Sequence, residues 1–173
     1  NLILYPQFSQ QMFVLNMLSP KGQSLVFDKD ADGYVRAEGV AAILLTRAAE
    51  DCQRVYASVV DVGINCDGYK TEGITNPSRE SQVSLMRKLY SRSGIDVGAV
   101  KYVEAHGTGT QVGDTTELGG LADVFCKNRL IPLLVGSVKS NMGHSEATAG
   151  LASIIKCVLA LQHKMLPPNR NFN

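Results

Sequence analysis

Between residues 79 and 93, apolar side chains recur at Val83, Met86, Leu89 and Tyr90. That spacing lays one stripe along a helix. From 146 to 163 the rhythm returns at Ala147, Leu151, Ile154, Ile155 and Val158, and Pro167-Pro168 stops it. A third helix is predicted over 114–127, opened by the capping-box-like Asp114-Thr-Thr-Glu117. Short apolar runs at 100–104 and 133–136 separate these helices and read as strands. Helix, strand, helix, strand, helix predicts an α/β fold, with βαβ units around parallel strands.

The earlier part of the chain has another pattern. Residues 8–18 suit a short helix, ended by Ser19-Pro20-Lys21-Gly22, and a loop runs on to Gly33. Residues 40–47 are apolar on both faces, which predicts a buried strand. Residues 55–64 are rich in β-branched side chains and predict a second strand. The short polar stretch 48–54 between them suggests a hairpin, hence an antiparallel pair and a mixed sheet. Leu2-Ile-Leu-Tyr5 reads as the tail of a strand, so a fragment of a longer chain is expected.

Composition narrows the function classes. The chain has 173 residues, 45% of them hydrophobic, with a net charge of +1. That apolar fraction is too high for a disordered chain. The near-zero charge argues against a general nucleic-acid binder. The longest apolar run, Val40-Ala-Ala-Ile-Leu-Leu45, is far shorter than the roughly 20 residues of a membrane span. Cys52, Cys66, Cys126 and Cys157 form no CxxC pair and no zinc spacing with the histidines, so no metal site is expected. They read as buried thiols of a reducing compartment, which suggests a cytoplasmic protein.

The chemistry should sit beyond the carboxyl ends of the strands. One such end is Val103-Glu-Ala-His106-Gly-Thr-Gly-Thr110, and the other is Val135-Gly-Ser-Val-Lys139-Ser-Asn-Met-Gly-His144. If the strands are neighbours, His106, Lys139 and His144 converge on one edge. Each could equally be a structural side chain or a solvated loop residue. His163, late in its helix, reads as a partner of the helix dipole.

Three lookalikes fail. Asp28-Lys-Asp30-Ala-Asp32-Gly33 imitates a calcium loop, but Gly39 stands where the closing acidic residue belongs. Gly107-Thr-Gly109-Thr-Gln-Val-Gly113 spaces its last glycine too far for a dinucleotide fingerprint. Gly143-His-Ser145-Glu-Ala147 lacks the last glycine of a nucleophile elbow, so Ser145 reads as a helix N-cap.

Two neutral imidazoles donate well to an oxyanion such as a thioester enolate. A nearby lysine favours neutral histidine by like-charge repulsion. The hydroxyls of Thr108 and Thr110 could bond an amide-bearing arm. The set suits carbon–carbon chemistry on a carbonyl, without an evident nucleophile.

Glu104-Ala-His106-Gly-Thr-Gly-Thr110 and Lys139-Ser-Asn-Met-Gly-His144-Ser-Glu-Ala147 resemble the two histidine motifs of β-ketoacyl synthases. The stretch from Phe27 to Gly39 is similar to the segment that follows that family's nucleophile. The stretch from Asp67 to Ser78 looks closer to animal-type fatty acid synthases than to polyketide synthases.

The resemblance implies a partial thiolase-like fold, a layered α-β-α-β-α sandwich. Residues 1–52 would end its N-terminal half, and 53–173 would form most of its C-terminal half. It implies a decarboxylative Claisen condensation of malonyl-acyl carrier protein with an acyl thioester. His106 and His144 would assist decarboxylation and hold the enolate, and Lys139 would support His144. Thr108 and Thr110 would contact the phosphopantetheine arm of the carrier protein, and the domain would bind no cofactor of its own.

The implied partners are acyl carrier protein, malonyl and acyl thioesters and, in the full protein, a second copy. The family's Cys-Ser-Ser nucleophile motif does not occur in these residues, so the 173 residues alone are expected to be inactive. A polyketide synthase ketosynthase, or a non-catalytic scaffold that kept the fold, are the alternatives.

Overall fold

The computed structural model describes residues 1–47, 50, 53–73, 75–127 and 129–173. Its centre is one βαβ unit. Strand β1 (Tyr102–Glu104) pairs in parallel with β2 (Leu134–Gly136), with Val103 opposite Val135. Helix α3 (Gln111–Phe125) connects them, and α2 (Arg79–Ser93) packs on α3. Val83 of α2 and Leu121, Val124 and Phe125 of α3 bury against Ala105, just past β1. Phe125 meets Tyr90 edge to face at 5.1 Å. Burying a side chain such as Phe125 stabilises the fold by about 1.5–3 kcal/mol.

Local chemistry sets the element ends. The Ser78 hydroxyl accepts the Ser81 N–H at 3.1 Å and opens α2, and Gly94 closes it in a left-handed conformation. The turn Lys139–Met142 (α4) follows β2, and α5 (Ala149–His163) follows a single 3₁₀ turn at Glu146–Thr148. Helix α1 (Pro6–Val14) begins at its proline, two residues before the expected start.

Residues 17–36 fold beneath the site loops. The Gly33 N–H donates to the Gly109 carbonyl at 2.9 Å, and Val26 is fully buried. Gly33 has φ +134°, and a Cβ there would come within 2.6 Å of the Leu18 and Ser19 backbone. This close approach, rather than calcium, accounts for the glycine.

Three expectations need correction. Asp114 does not open α3; the helix starts at Gln111 after Thr110, and the Asp114 carboxylate turns back to the preceding loop. The final helix gives its first turn, Glu146–Thr148, to a 3₁₀ geometry.

The third correction concerns 40–47 and 55–64. The described residues of these segments form no strand and are not buried: Val40 is 91% exposed, Leu44 94% and Ile64 92%. A strand apolar on both faces needs neighbours on its edges and layers above and below. Residues 55–64 lean on α2, through Arg92 on Asp61 at 2.5 Å and the approach of Gly63 to Leu85 and Leu89. Residues 40–46 pair with no described strand, and most of the predicted hairpin turn lies outside the described residues. Leu2–Tyr5 likewise shows no strand pairing, although Ile3 N–H reaches Glu38 at 2.6 Å.

Such exposed apolar stretches promote association. The 173 residues expressed by themselves should form concentration-dependent oligomers, and Leu44→Lys with Ile64→Lys should reduce them. Sedimentation of a monodisperse monomer, unchanged by those substitutions, would contradict the role given to these segments.

Candidate active site

The parallel register delivers both predicted motifs to one edge. Ladder bonding continues past β1, where the Ala105 N–H donates to the Gly136 carbonyl at 2.8 Å. His106 follows at once, and Lys139 lies three residues past β2. The His106 and His144 rings meet edge to face with centroids 5.3 Å apart. Lys139 is 2% exposed, and its ammonium donates to the His106 carbonyl at 2.7 Å. Thus the structure brings His106, Lys139 and His144 together. Lys139 touches the backbone of the first histidine.

Glycines make the approach possible. Gly107 has φ +39°, and a Cβ there would stand 2.8 Å from the Ser137 Cβ. The Ser137 hydroxyl, fully buried, lies 3.2 Å from the His106 carbonyl and 3.0 Å from that of Gly107. It offers its one proton to this pair of oxygens.

Carboxylates shape the His106 loop. Glu117, on α3, accepts the His106 N–H at 2.7 Å and the Gly107 N–H at 2.8 Å. Asp114 accepts N–H groups of Phe27 at 2.8 Å, Thr108 at 3.1 Å and Gly109 at 3.2 Å. Hydrogen bonds to a charged acceptor contribute about 1.5–3 kcal/mol each. Asp114 is buried, and that burial pushes its carboxyl pKa up while the N–H donors pull it down. Sequence reasoning missed these two as loop clamps. Their signal was present: two acids one turn apart at the start of the helix that follows a glycine loop.

The second histidine is held by its own strand-like bridge. The His144 N–H donates to the Val35 carbonyl at 2.7 Å, and its carbonyl accepts the Ala37 N–H at 2.9 Å. Its ring also lies 5.1 Å from Tyr34. His144 Nδ1 accepts the Glu146 N–H at 2.9 Å. That bond assigns the proton of the neutral ring to Nε2, leaving Nε2–H free to donate.

Electrostatics keep both rings neutral. Burial, then the Lys139 charge and His106, lower the His144 pKa to about 4. Burial and Lys139 lower that of His106 as well, with Asp114 acting in the opposite direction. His106 keeps exposed surface even though burial is the leading cause of its lowered pKa. Burial also lowers the Lys139 pKa, while Glu117, Glu104 and Asp114 hold it up.

The other predicted residues fall as follows. Thr108 is buried and Thr110 half-buried, with their hydroxyls 3.0 Å apart. Ser145 occupies the position before the 3₁₀ turn, but its side chain makes no capping bond. The buried-thiol expectation fails for Cys66 and Cys126, which are exposed; Cys157 is half-buried, and Cys52 lies outside the described residues. Both exposed thiols stand outside regular structure: Cys66 lies in the loop before α2, and Cys126 caps the end of α3. Among the described residues no three His, Cys, Asp or Glu side chains gather into a possible metal site.

The sign of the lysine effect is testable. A positive charge beside an imidazole disfavours its protonation, so removing it must raise the pKa. Histidine NMR titration of the intact protein should find His144 neutral down to about pH 4. Lys139→Met should move both histidine titrations toward their ordinary value near 6.5. Titrations that stay put, or move lower, would remove Lys139 from this account.

Comparison with known proteins agrees with this geometry. Residues 56–173 match the sequence family described as "Beta-ketoacyl synthase, C-terminal domain", and residues 1–51 match "Beta-ketoacyl synthase, N-terminal domain". A fatty acid synthase of Anser anser anser is 50% identical over 163 residues, which is 94% of this chain and 46% of the relative. A reducing polyketide synthase of Cochliobolus heterostrophus is 46% identical over 175 residues, covering 99% of this chain and 7% of the relative. The chain therefore spans less than half the length of these relatives.

Among solved structures, the ketosynthase from module 6 of the bacillaene synthase of Bacillus subtilis 168 superposes with a TM-score of 0.93 at 43% identity. It covers 100% of this chain and 32% of that one. An oxazolomycin ketosynthase domain of Streptomyces albus JA3453 gives 0.92 at 34% identity, covering 100% and 30%. The α/β fold is thus the thiolase-like fold of ketosynthases. With two histidine loops side by side at the end of a parallel strand pair, and both family matches in order along it, the chain belongs to the beta-ketoacyl synthase family.

Proposed function

We propose that this chain supplies the enolate-stabilising half of a condensing site in a fatty acid synthase. The observation that carries this reading is the pair of neutral imidazoles 5.3 Å apart, one with its proton assigned to the free ring nitrogen. Malonyl on the phosphopantetheine arm of acyl carrier protein is the proposed substrate. Its bond to the carboxylate breaks and carbon dioxide leaves. The electron pair forms an enolate, whose oxygen accepts hydrogen bonds from His106 and His144. The enolate carbon then attacks an acyl thioester on a cysteine outside these residues. A carbon–carbon bond forms, the carbon–sulfur bond breaks, and the thiolate departs.

Each residue has a part. Neutral imidazoles can donate to the oxyanion without first losing a charge to solvent. Burial and then Lys139 keep them neutral, and Lys139 adds a positive field where negative charge develops. Thr108 and Thr110 contact the carrier arm, and the domain needs no cofactor of its own. The free thiols of Cys66, Cys126 and Cys157 suit a reducing cytoplasm. The full protein would act as a homodimer. The 173 residues by themselves would not condense acyl chains.

A second reading has its own support. Fungal reducing polyketide synthases reach 46% and 48% identity over essentially the whole chain, which supports the same chemistry directed to a polyketide product. The full-length protein, given acetyl and malonyl thioesters with NADPH as hydride donor, should release a saturated even-chain fatty acid; a partly reduced product under the same conditions would favour the polyketide reading. In the same assay His144→Ala should lower the condensation kcat by about 10²–10³-fold, the loss typical of one oxyanion donor. Unchanged turnover would defeat the proposal.

A further inference from the structure

A buried ion pair behind the histidines has no part in the proposed chemistry. Glu104 is the last residue of β1, two positions before His106. Its side chain is 4% exposed, and Oε2 lies 2.7 Å from Nζ of Lys156, whose side chain is 7% exposed. Lys156 sits on α5, the helix that follows the His144 loop. Glu104 Oε1 accepts the Val138 N–H at 2.6 Å, next to Lys139. The Tyr102 hydroxyl donates to Oε2, and its ring lies 5.5 Å from the Lys156 ammonium. One carboxylate therefore touches the strand that delivers His106, the turn that delivers Lys139 and the helix that anchors the His144 loop.

Such an arrangement is demanding. Lys156 Nζ has no hydrogen-bond partner beyond this ion pair among the described residues, so its buried charge depends on Glu104. A lone charge in this place is unfavourable, which ties α5 to β1. Among the described residues both side chains are buried, and neither bonds a histidine ring. We propose that Glu104 and Lys156 are positioning residues that set the spacing of His106 and His144 by locking α5 and the Val138–Lys139 turn onto the end of β1.

The inference rests on the condensing function proposed above, so its test carries one readout that does not need turnover. In the full-length synthase, carbon dioxide release from a malonyl thioester of N-acetylcysteamine is measured for wild type, Glu104→Gln, Lys156→Met, Lys156→Arg and the double variant Glu104→Gln with Lys156→Met. The two single neutral variants should lose kcat by about tenfold with KM within about twofold, because misplacing a reacting group acts on the chemical step. Lys156→Arg, which restores the charge, should keep at least about a third of wild-type kcat. The double variant should lose no more than the worse single, since one interaction is removed once.

Wild-type kcat in the neutral variants, a loss carried by KM, failure of the arginine to rescue, or losses that multiply in the double variant would each overturn the inference. If the singles do not fold, the double variant, which leaves no unpaired charge, decides: a kcat at least about fivefold down supports positioning, and a smaller loss overturns it. Histidine NMR supplies the independent readout. The double variant should displace the ring signals of both His106 and His144. If wild type releases no carbon dioxide, the functional reading fails, while unmoved ring signals would still sink the positioning claim by themselves.

Discussion

The parallel pairing of two three-residue strands is the constraint from which the site follows. With Val103 opposite Val135 and the Ala105 N–H bonded to the Gly136 carbonyl at 2.8 Å, the chain leaves both strands at the same level. The loops that follow must then share one edge. Side chains alternate across a strand, so a slip by one residue would turn Glu104 away from Val138 and carry His106 off the edge. Strands this short cannot hold such a register by backbone bonds alone. Packing does it: α3 closes over the pair, and Phe125, Val124 and Leu121 bury against Ala105.

Above that register, acidic side chains replace regular structure. The His106 loop has no ladder partner, yet its N–H groups are not left bare. Glu117 takes two, Asp114 takes three that include Phe27 from the segment beneath, and Glu104 takes that of Val138 across the strand pair. A buried N–H without an acceptor is costly, so a loop whose donors are satisfied by fixed carboxylates is as firmly placed as a strand. Three negative charges in this small volume would repel one another. Lys139 and Lys156, both buried, offset them from within.

The sequence made the central unit and the three leading residues legible, for a physical reason. Helical and strand periods are imposed by burial, and α2 and α3 bury Val83, Leu121, Val124 and Phe125 against the end of β1 within this chain. The histidines were legible because each follows a strand that the pattern places in parallel. Residues 40–47 and 55–64 misled because their apolar pattern reports burial without saying against what. The carboxylate clamps left only a partial signal: two acids stand one turn apart at the start of the helix, but nothing in the sequence marks the loop N–H groups that they bond. Asp114 shows the cost of a local rule: a helix-opening motif was present, but the loop's free N–H groups lay closer than the helix end.

The placement of Lys139 explains how neutral histidines and a positive field can coexist. A lysine pointing into the substrate edge would pair with a malonyl carboxylate and hold the very group that must leave. Here its ammonium is spent on the His106 carbonyl, 2.7 Å away and under the loop. Direct contact is therefore made with backbone, while the charge still acts on both rings. Burial disfavours a protonated imidazole, and protonation would also put a second cation beside Lys139, so the His144 pKa falls to about 4. A negative oxygen above the rings would instead be drawn by the same charge. The field disfavours a proton on the donors and favours an anion at the place where the donors point, so a single buried cation acts on both halves of the proposed enolate contact.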